Sequence, residues 1–217
     1  MKKYDLAIFD LDGTILDTSE GLLSALTYTI VDSGYPIPPL ETLNTFIGPP
    51  VQESFSKAFG VSGETLKRMS DIFRERYKNE DLLLAKPYEG IYEVLQYLID
   101  QGVKIAIATY KREDYALKLL KHYSFDRYSS IMHGSDFAGL MKKHDIISLC
   151  VAESEVKDFR RVVMIGDTYH DALGAEQLGI DFIGVTYGFG YTSVESIVGT
   201  RIIGCAEKPS DIIKFIK

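Results

Sequence analysis

Two aspartates, Asp10 and Asp12, stand one residue apart at the end of an apolar run, Leu6-Ala7-Ile8-Phe9, and are followed by Gly13 and Thr14. A short run of this composition makes a buried strand, so both carboxylates fall where a parallel sheet opens to solvent. If the extended conformation continues, alternation puts Asp10 and Asp12 on the same side. Like charges so close repel, and a divalent cation relieves them naturally. Hard Mg²⁺ takes carboxylate and carbonyl oxygens while keeping water and phosphate as its other ligands. Gly13 allows a tight turn, and the Thr14 hydroxyl and the amides after Asp10 can face an anion.

Three later stretches bring further polar groups to element ends. The apolar run Val103–Thr109 closes on Thr109-Tyr110-Lys111. A hydroxyl and the next amide at a strand end can hold the oxygens of an anion, and Thr109 occupies the position on its strand that Asp10 occupies on the first. Lys142-Lys143-His144-Asp145 precedes a helical pattern. A lysine reaching from a helix start can neutralise charge that a metal leaves uncovered, and either Lys142 or Lys143 is placed to do so. A third apolar run, Val162–Ile165, ends in Gly166-Asp167, with Asp171 one helical turn further on. Asp167 can then ligate a metal directly while Asp171 supports the site from behind; the plainer reading is an acidic helix start favoured by the helix dipole. His170, between helix-start residues, reads as a surface residue.

The elements that must position these groups follow from the rest of the chain. At 217 residues and 46% hydrophobic content, the chain can bury one substantial core plus a small accessory domain. A net charge of −7 argues against a nucleic-acid polymer as partner. Cys150 and Cys205 lie far apart without metal-ligand spacing, which fits small core residues in a reduced, cytoplasmic setting. The N-terminus enters the first strand directly, and no apolar stretch is long enough for a membrane span or signal peptide. After Thr14 come only helical patterns, interrupted by the Pro-rich linker around Tyr35–Pro39 and the tight turn Phe46-Ile47-Gly48-Pro49-Pro50. From Tyr88 strands and helices alternate to the C-terminus, which predicts parallel pairing with right-handed crossovers. The expected architecture is an α/β core with a doubly wound parallel sheet, Rossmann-like, over residues 1–16 and 87–217, interrupted by an all-helical cap over residues 17–86.

DLDGT after an apolar strand, followed in order by Thr109, the helix-start lysine and Gly166-Asp167 with Asp171, resembles the haloacid dehalogenase superfamily in its phosphatase branch. FIGPP and GVTYGFG look like segments of the phosphoglycolate-phosphatase-like subgroup, and the resemblance covers nearly the whole chain. It implies a Mg²⁺-dependent phosphomonoesterase acting through an aspartyl phosphate on a small phosphorylated metabolite. Asp10 would be the nucleophile and Asp12 the general acid/base. Asp10, the Asp12 backbone carbonyl and Asp167 would hold the metal, with Asp171 behind them. Thr109 and Lys143 would bind the phosphoryl oxygens; the family's spacing favours Lys143 over Lys142, although the Lys-Pro pair of many relatives is absent. Thr14 and Gly48 would lie at the substrate. Tyr110 stands where many relatives have a small residue, so it either narrows the substrate site or points away. A 5'-nucleotidase or pyrophosphatase would fit the same core. A sugar phosphomutase fits less well, because related mutases carry an acidic pair in place of Gly166-Asp167. A non-catalytic binding protein is the alternative from another class. Monomer and homodimer are both compatible with the sequence.

Overall fold

A computed structural model describes residues 3–48, 50–137, 140–197, 199 and 201–217. The chain divides into two compact units, one formed by Met1–Asp17 with Pro87–Lys217 and the other by Thr18–Lys86.

In the first unit, the apolar run at the N-terminus forms β1 (Leu6–Phe9), buried along its whole length. Two short strands, β2 (Leu16–Asp17) and β3 (Lys86–Pro87), pair with each other at the two ends of the inserted segment. The remaining strands are β4 (Lys104–Arg112), β5 (Ile131–Ser135), β6 (Val162–Gly166), β7 (Asp181–Val185) and β8 (Ile202–Ala206). They form a six-stranded sheet with β1 in the order β5-β4-β1-β6-β7-β8, every pair parallel. This is the doubly wound order, in which the chain winds outward in both directions from a switch between β1 and β6, and ligand crevices lie beyond the carboxyl ends at that switch. Register makes the placement concrete: Phe9 lies opposite Ile107 on β4 and Ile165 on β6, so the residues that follow all three emerge at one edge.

The inserted unit is helical, with α1 (Ser19–Asp32), α2 (Leu40–Asn44), α3 (Val51–Phe59) and α4 (Gly63–Arg76). A π-helical turn, Tyr77–Asp81, continues α4. Its core gathers Leu26, Ile30, Leu43, Phe46, Phe55 and Met69. Phe55 meets Phe46 and Phe73 edge-on, with ring centroids 6.4 Å apart in both pairs, a geometry aromatic quadrupoles favour. The π-turn is fixed by the buried Asp81, which accepts hydrogen bonds from Ser24 Oγ at 3.0 Å and Arg76 Nε at 2.8 Å. Pro49, in the turn singled out from the sequence, lies outside the described residues.

The core helices are α5 (Ile91–Asp100), α6 (Glu113–His122), α7 (Lys143–Ser154), α8 (Tyr169–Gln177) and a short α9 (Ile213–Ile216). α7 packs on β4, β5, β1 and α8, burying Ile146, Ile147 and Cys150. Burial pushes the Cys150 thiol up to about 12, so it acts as a small core residue; Cys205 on β8 is only partly buried. Two boundaries differ from the pattern reading for identifiable reasons. β4 continues three residues beyond Thr109, because its pairing with β5 shifts register between Ala108 and Arg112. α8 starts two residues earlier than Asp171, because Thr168 and Asp171 close a capping box at its N-terminus. Among the described residues, no helix is long and apolar enough to cross a membrane.

Phe55 is fully buried at the centre of the helical unit, so Phe55→Ala is expected to destabilise it by about 3–5 kcal/mol. Chemical denaturation of wild type and variant measures this, and a loss below about 1 kcal/mol would mean the cluster does not hold the unit together.

Candidate active site

Asp10 leaves the end of β1 with its backbone N–H bonded to the Ile165 carbonyl at 2.9 Å, which anchors it between β4 and β6. Its carboxylate is almost buried and meets Lys143, the first residue of α7, with Nζ 2.5 Å from Oδ1. The same ammonium lies 2.6 Å from Asp171 Oδ1. Lys143 is only 3% exposed, so its stem runs through the protein between α7 and α8. The absence of a side chain at Gly174 makes this possible, since a Cβ there would come within 3.1 Å of Lys143 Cβ and Cγ. The other oxygen of Asp171 accepts hydrogen bonds from Thr168 N at 3.1 Å and Thr168 Oγ1 at 2.7 Å.

Asp167 follows β6 and is fully buried. Its Oδ2 accepts the backbone N–H groups of Phe189 and Gly190 at 2.7 and 3.1 Å, while its buried Oδ1 has no hydrogen-bond partner among the described residues. Close approach around this carboxylate depends on glycine. A Cβ at Gly13, where φ is +78°, would lie 2.2 Å from Asp167 Oδ2, and one at Gly166 would lie 2.4 Å from Asp171 Cγ.

Asp10, Asp167 and Asp171 each place an oxygen within 4.8 Å of the others. Burial drives the Asp10 carboxyl well above the usual range; Lys143 opposes this, and repulsion from Asp171, Asp167 and Asp12 adds to it. Asp167 is pushed up to about 7 by burial and by Asp171, against the pull of the Phe189 and Gly190 amides and Lys143. Burial works against the Lys143 charge, but Asp10 and Asp171 outweigh it and hold the ammonium charged. Clustered hard oxygen donors with one buried oxygen unpaired fit a divalent cation such as Mg²⁺.

Of the residues singled out from the sequence, Asp10, Lys143, Asp167 and Asp171 come together directly. Lys143 is the lysine in the site. Lys142 is exposed, and its backbone N–H is bonded to Asp145 Oδ2 at 2.8 Å. Thr109 is buried at the same edge, its Oγ1 accepting the Lys111 N–H at 3.1 Å. Thr14 is fully buried, with its Oγ1 lacking a hydrogen-bond partner among the described residues. The Asp12 side chain lies outside the three-carboxylate cluster, its Oδ1 3.0 Å from Lys111 Nζ. Tyr110 lies beside Lys143 with its ring partly exposed. Its hydroxyl accepts the Lys143 N–H at 2.9 Å, and its ring meets His170 edge-on at 5.3 Å. Gly48 belongs to the helical unit, exposed, with φ +103°, and a Cβ there would meet nothing within 4 Å.

One contributor, Lys111, escapes the sequence reading, and another, the glycine-rich stretch after β7, reads in the sequence only as a loop over the site. The glycine-bearing loop after β7 supplies the amides that hold Asp167; the Gly188-Phe189-Gly190 spacing is the signal, since glycines there let consecutive N–H groups face an anion. Lys111 contacts Asp12, and the apolar pattern carries no signal for it, because the register of β4 shifts between Ala108 and Arg112.

The raised Asp167 value sets a sign for stability. Its folded value of about 7 lies above the unfolded one, so between roughly pH 4 and 7 the folded state binds the extra proton. The contribution is fully present below that window and is lost as pH rises through 7. In the absence of divalent metal, the thermal midpoint of the wild type is therefore expected to fall more steeply from pH 5 to pH 8 than that of Asp167→Asn. Added Mg²⁺ is expected to raise it more at pH 8 than at pH 5. An equally steep fall in Asp167→Asn would assign the effect to other groups.

The chain matches the family model described as haloacid dehalogenase-like hydrolase over residues 7–185. It is 32% identical to a 5'-nucleotidase of Pseudomonas aeruginosa over 87% of this chain and 85% of that one. It is 33% identical to a phosphoglycolate phosphatase of Agrobacterium fabrum over 88% and 84% of the two chains. The solved structure of Mycobacterium tuberculosis Protein Tyrosine Kinase A superposes with a TM-score of 0.83 at 28% identity, covering 98% of this chain and 97% of that one. The ordered motifs, the doubly wound sheet and the inserted helices therefore belong to a haloacid dehalogenase-like hydrolase of the phosphoglycolate-phosphatase-like kind.

Proposed function

We propose that the protein is a Mg²⁺-dependent phosphomonoesterase in which Asp10 is the nucleophile and the substrate is a small phosphorylated metabolite, with phosphoglycolate a leading candidate. The observation that carries this reading is the pairing of a nearly buried Asp10 with Lys143, next to a buried carboxylate, Asp167, whose Oδ1 is unpaired. A carboxylate attacks phosphorus only when ionised, and the ammonium 2.5 Å away favours that state. Asp10, Asp167 and the Asp12 backbone carbonyl would hold Mg²⁺, which when bound offsets the repulsion between a carboxylate and a phosphate dianion.

The chain's own groups then divide the work. An Asp10 oxygen attacks phosphorus in line, forming a new P–O bond as the ester P–O bond breaks. Asp12 gives its proton to the departing alcohol oxygen. In the second half, Asp12 takes a proton from the water that hydrolyses the aspartyl phosphate, which returns Asp10 and releases phosphate. Lys143 and the Thr109 hydroxyl bind phosphoryl oxygens, fixed before substrate arrives by Asp171 and by the Lys111 amide. Asp171 acts through Lys143 rather than on the substrate. The Gly166 position supports hydrolysis over mutase chemistry, because a side chain there would collide with Asp171 and leaves no room for an acidic pair. Among relatives, the names 5'-nucleotidase and phosphoglycolate phosphatase define the first substrates to try.

Phosphate release from phosphoglycolate, nucleoside monophosphates, sugar phosphates and pyrophosphate, with Mg²⁺ or chelator, tests the proposal. Release is expected to require the metal and to fall by more than about a thousandfold in Asp10→Asn. Turnover of Asp10→Asn within about tenfold of wild type, or release that ignores the chelator, would overturn it.

A further inference from the structure

The Lys111 side chain has no place in the chemistry described so far, yet it is built into the site. β4 runs on to Arg112 through an irregularity between Ala108 and Arg112, where the Lys111 N–H bonds Thr109 Oγ1 at 3.1 Å. Its side chain is 7% exposed, an unusual position for a lysine, and its Nζ lies 3.0 Å from Asp12 Oδ1. Immobilising a long cationic side chain this way costs rotamer freedom and hydration, and its carboxylate partner offsets part of that cost.

We propose that Lys111 is a positioning residue for the reaction: its ammonium holds the Asp12 carboxylate beside the departing alcohol and apart from the Asp10, Asp167 and Asp171 cluster. The inference rests on Asp12 being the general acid/base. Four carboxyl groups converge on this edge, and a metal held by Asp10 and Asp167 would also attract the Asp12 carboxyl group. Lys143 contacts Asp10 and Asp171, whereas Lys111 contacts Asp12. Each lysine therefore fixes a different part of the carboxylate set, so Asp12 stays available to move a proton. Asp12 enters this step as the carboxylic acid, with its proton on the oxygen that does not face Lys111; as the ester P–O bond breaks, that proton passes to the alcohol oxygen, and Asp12 regains one from the attacking water.

A mispositioned acid lowers kcat/KM, which covers the steps up to departure of the alcohol, only where that group needs a proton; water activation in the second half is common to both esters. The test compares kcat and KM for an unactivated alkyl ester, glycerol 3-phosphate, and for p-nitrophenyl phosphate, whose phenolate leaves without one. Lys111→Met keeps the unbranched stem and removes the charge. It is expected to lower kcat/KM for glycerol 3-phosphate by about ten- to a hundredfold, while kcat/KM for p-nitrophenyl phosphate stays within about threefold. Lys111→Arg is expected to restore most of the loss. Asp12→Asn should show the same leaving-group dependence more strongly, and adding Lys111→Met to it should cost nothing further. Equal losses on both esters in Lys111→Met, a loss confined to KM, or full additivity with Asp12→Asn would overturn the positioning role. The first outcome indicates a structural lysine, the second a substrate-binding one. Leaving-group dependence in Asp12→Asn that Lys111→Met does not share overturns this inference alone. Equal losses in Asp12→Asn would overturn the acid–base reading and this inference with it.

Discussion

The contact between Lys143 and two buried aspartates governs the core of this protein. Asp10, Asp167 and Asp171 stand within 4.8 Å of one another, with almost no exposure to water. Taking carboxylates out of water is costly, and three together repel, so the arrangement survives only with a fixed cation and aimed donors. Lys143 supplies the cation at 2.5 and 2.6 Å. Much of the surrounding structure serves to hold that ammonium there. Its backbone is tied to the Tyr110 hydroxyl at the start of α7, its stem passes beside the bare Gly174, and Asp171 is locked from its far side by Thr168.

Backbone proximity is the second constraint, and it explains why aspartate and glycine are neighbours in both metal-facing motifs. Asp167 must sit against Gly13 while accepting amides from the loop at Phe189 and Gly190. Gly188 completes the contact, since a Cβ there would lie 2.2 Å from the Gly13 carbonyl oxygen. Three chain segments distant in sequence thereby meet around one carboxylate. The result is a preorganised acceptor whose second oxygen has no partner among the described residues, a cost that a bound cation would remove.

Much of this was legible in the sequence because parallel strands buried on both faces read as short apolar runs, and the polar residue ending each run is conspicuous. Asp10, Thr109 and Asp167 could be found that way, and the strand order then brings them to one edge. Lys143 was favoured over Lys142 by spacing, and burial separates the two. What was not legible depends on pairing geometry. The continuation of β4 past Thr109 comes from a register shift against β5, so the facing of Tyr110 and Lys111 could not be read from the apolar pattern. The loop after β7 was recognisable as glycine-rich, but its amides acquire a role only once Asp167 is seen beneath them. Cap turns such as Phe46–Pro50 follow ordinary linker chemistry, so their type carries no record of what they face.

Charge balance links these features to the reaction. The edge gathers four carboxyl groups, Asp10, Asp12, Asp167 and Asp171, against two ammonium groups, Lys111 and Lys143. Burial first, and repulsion among the carboxyl groups second, raise the Asp10 and Asp167 carboxyls against the pull of Lys143. A divalent cation held there would favour the carboxylate form that a nucleophile requires. A phosphate dianion then finds a site whose own charges are already balanced, rather than one that repels it. The fit of the site to a divalent cation and the need for an ionised Asp10 are therefore one electrostatic condition, set by how many acids the sheet edge brings together and how few cations it provides.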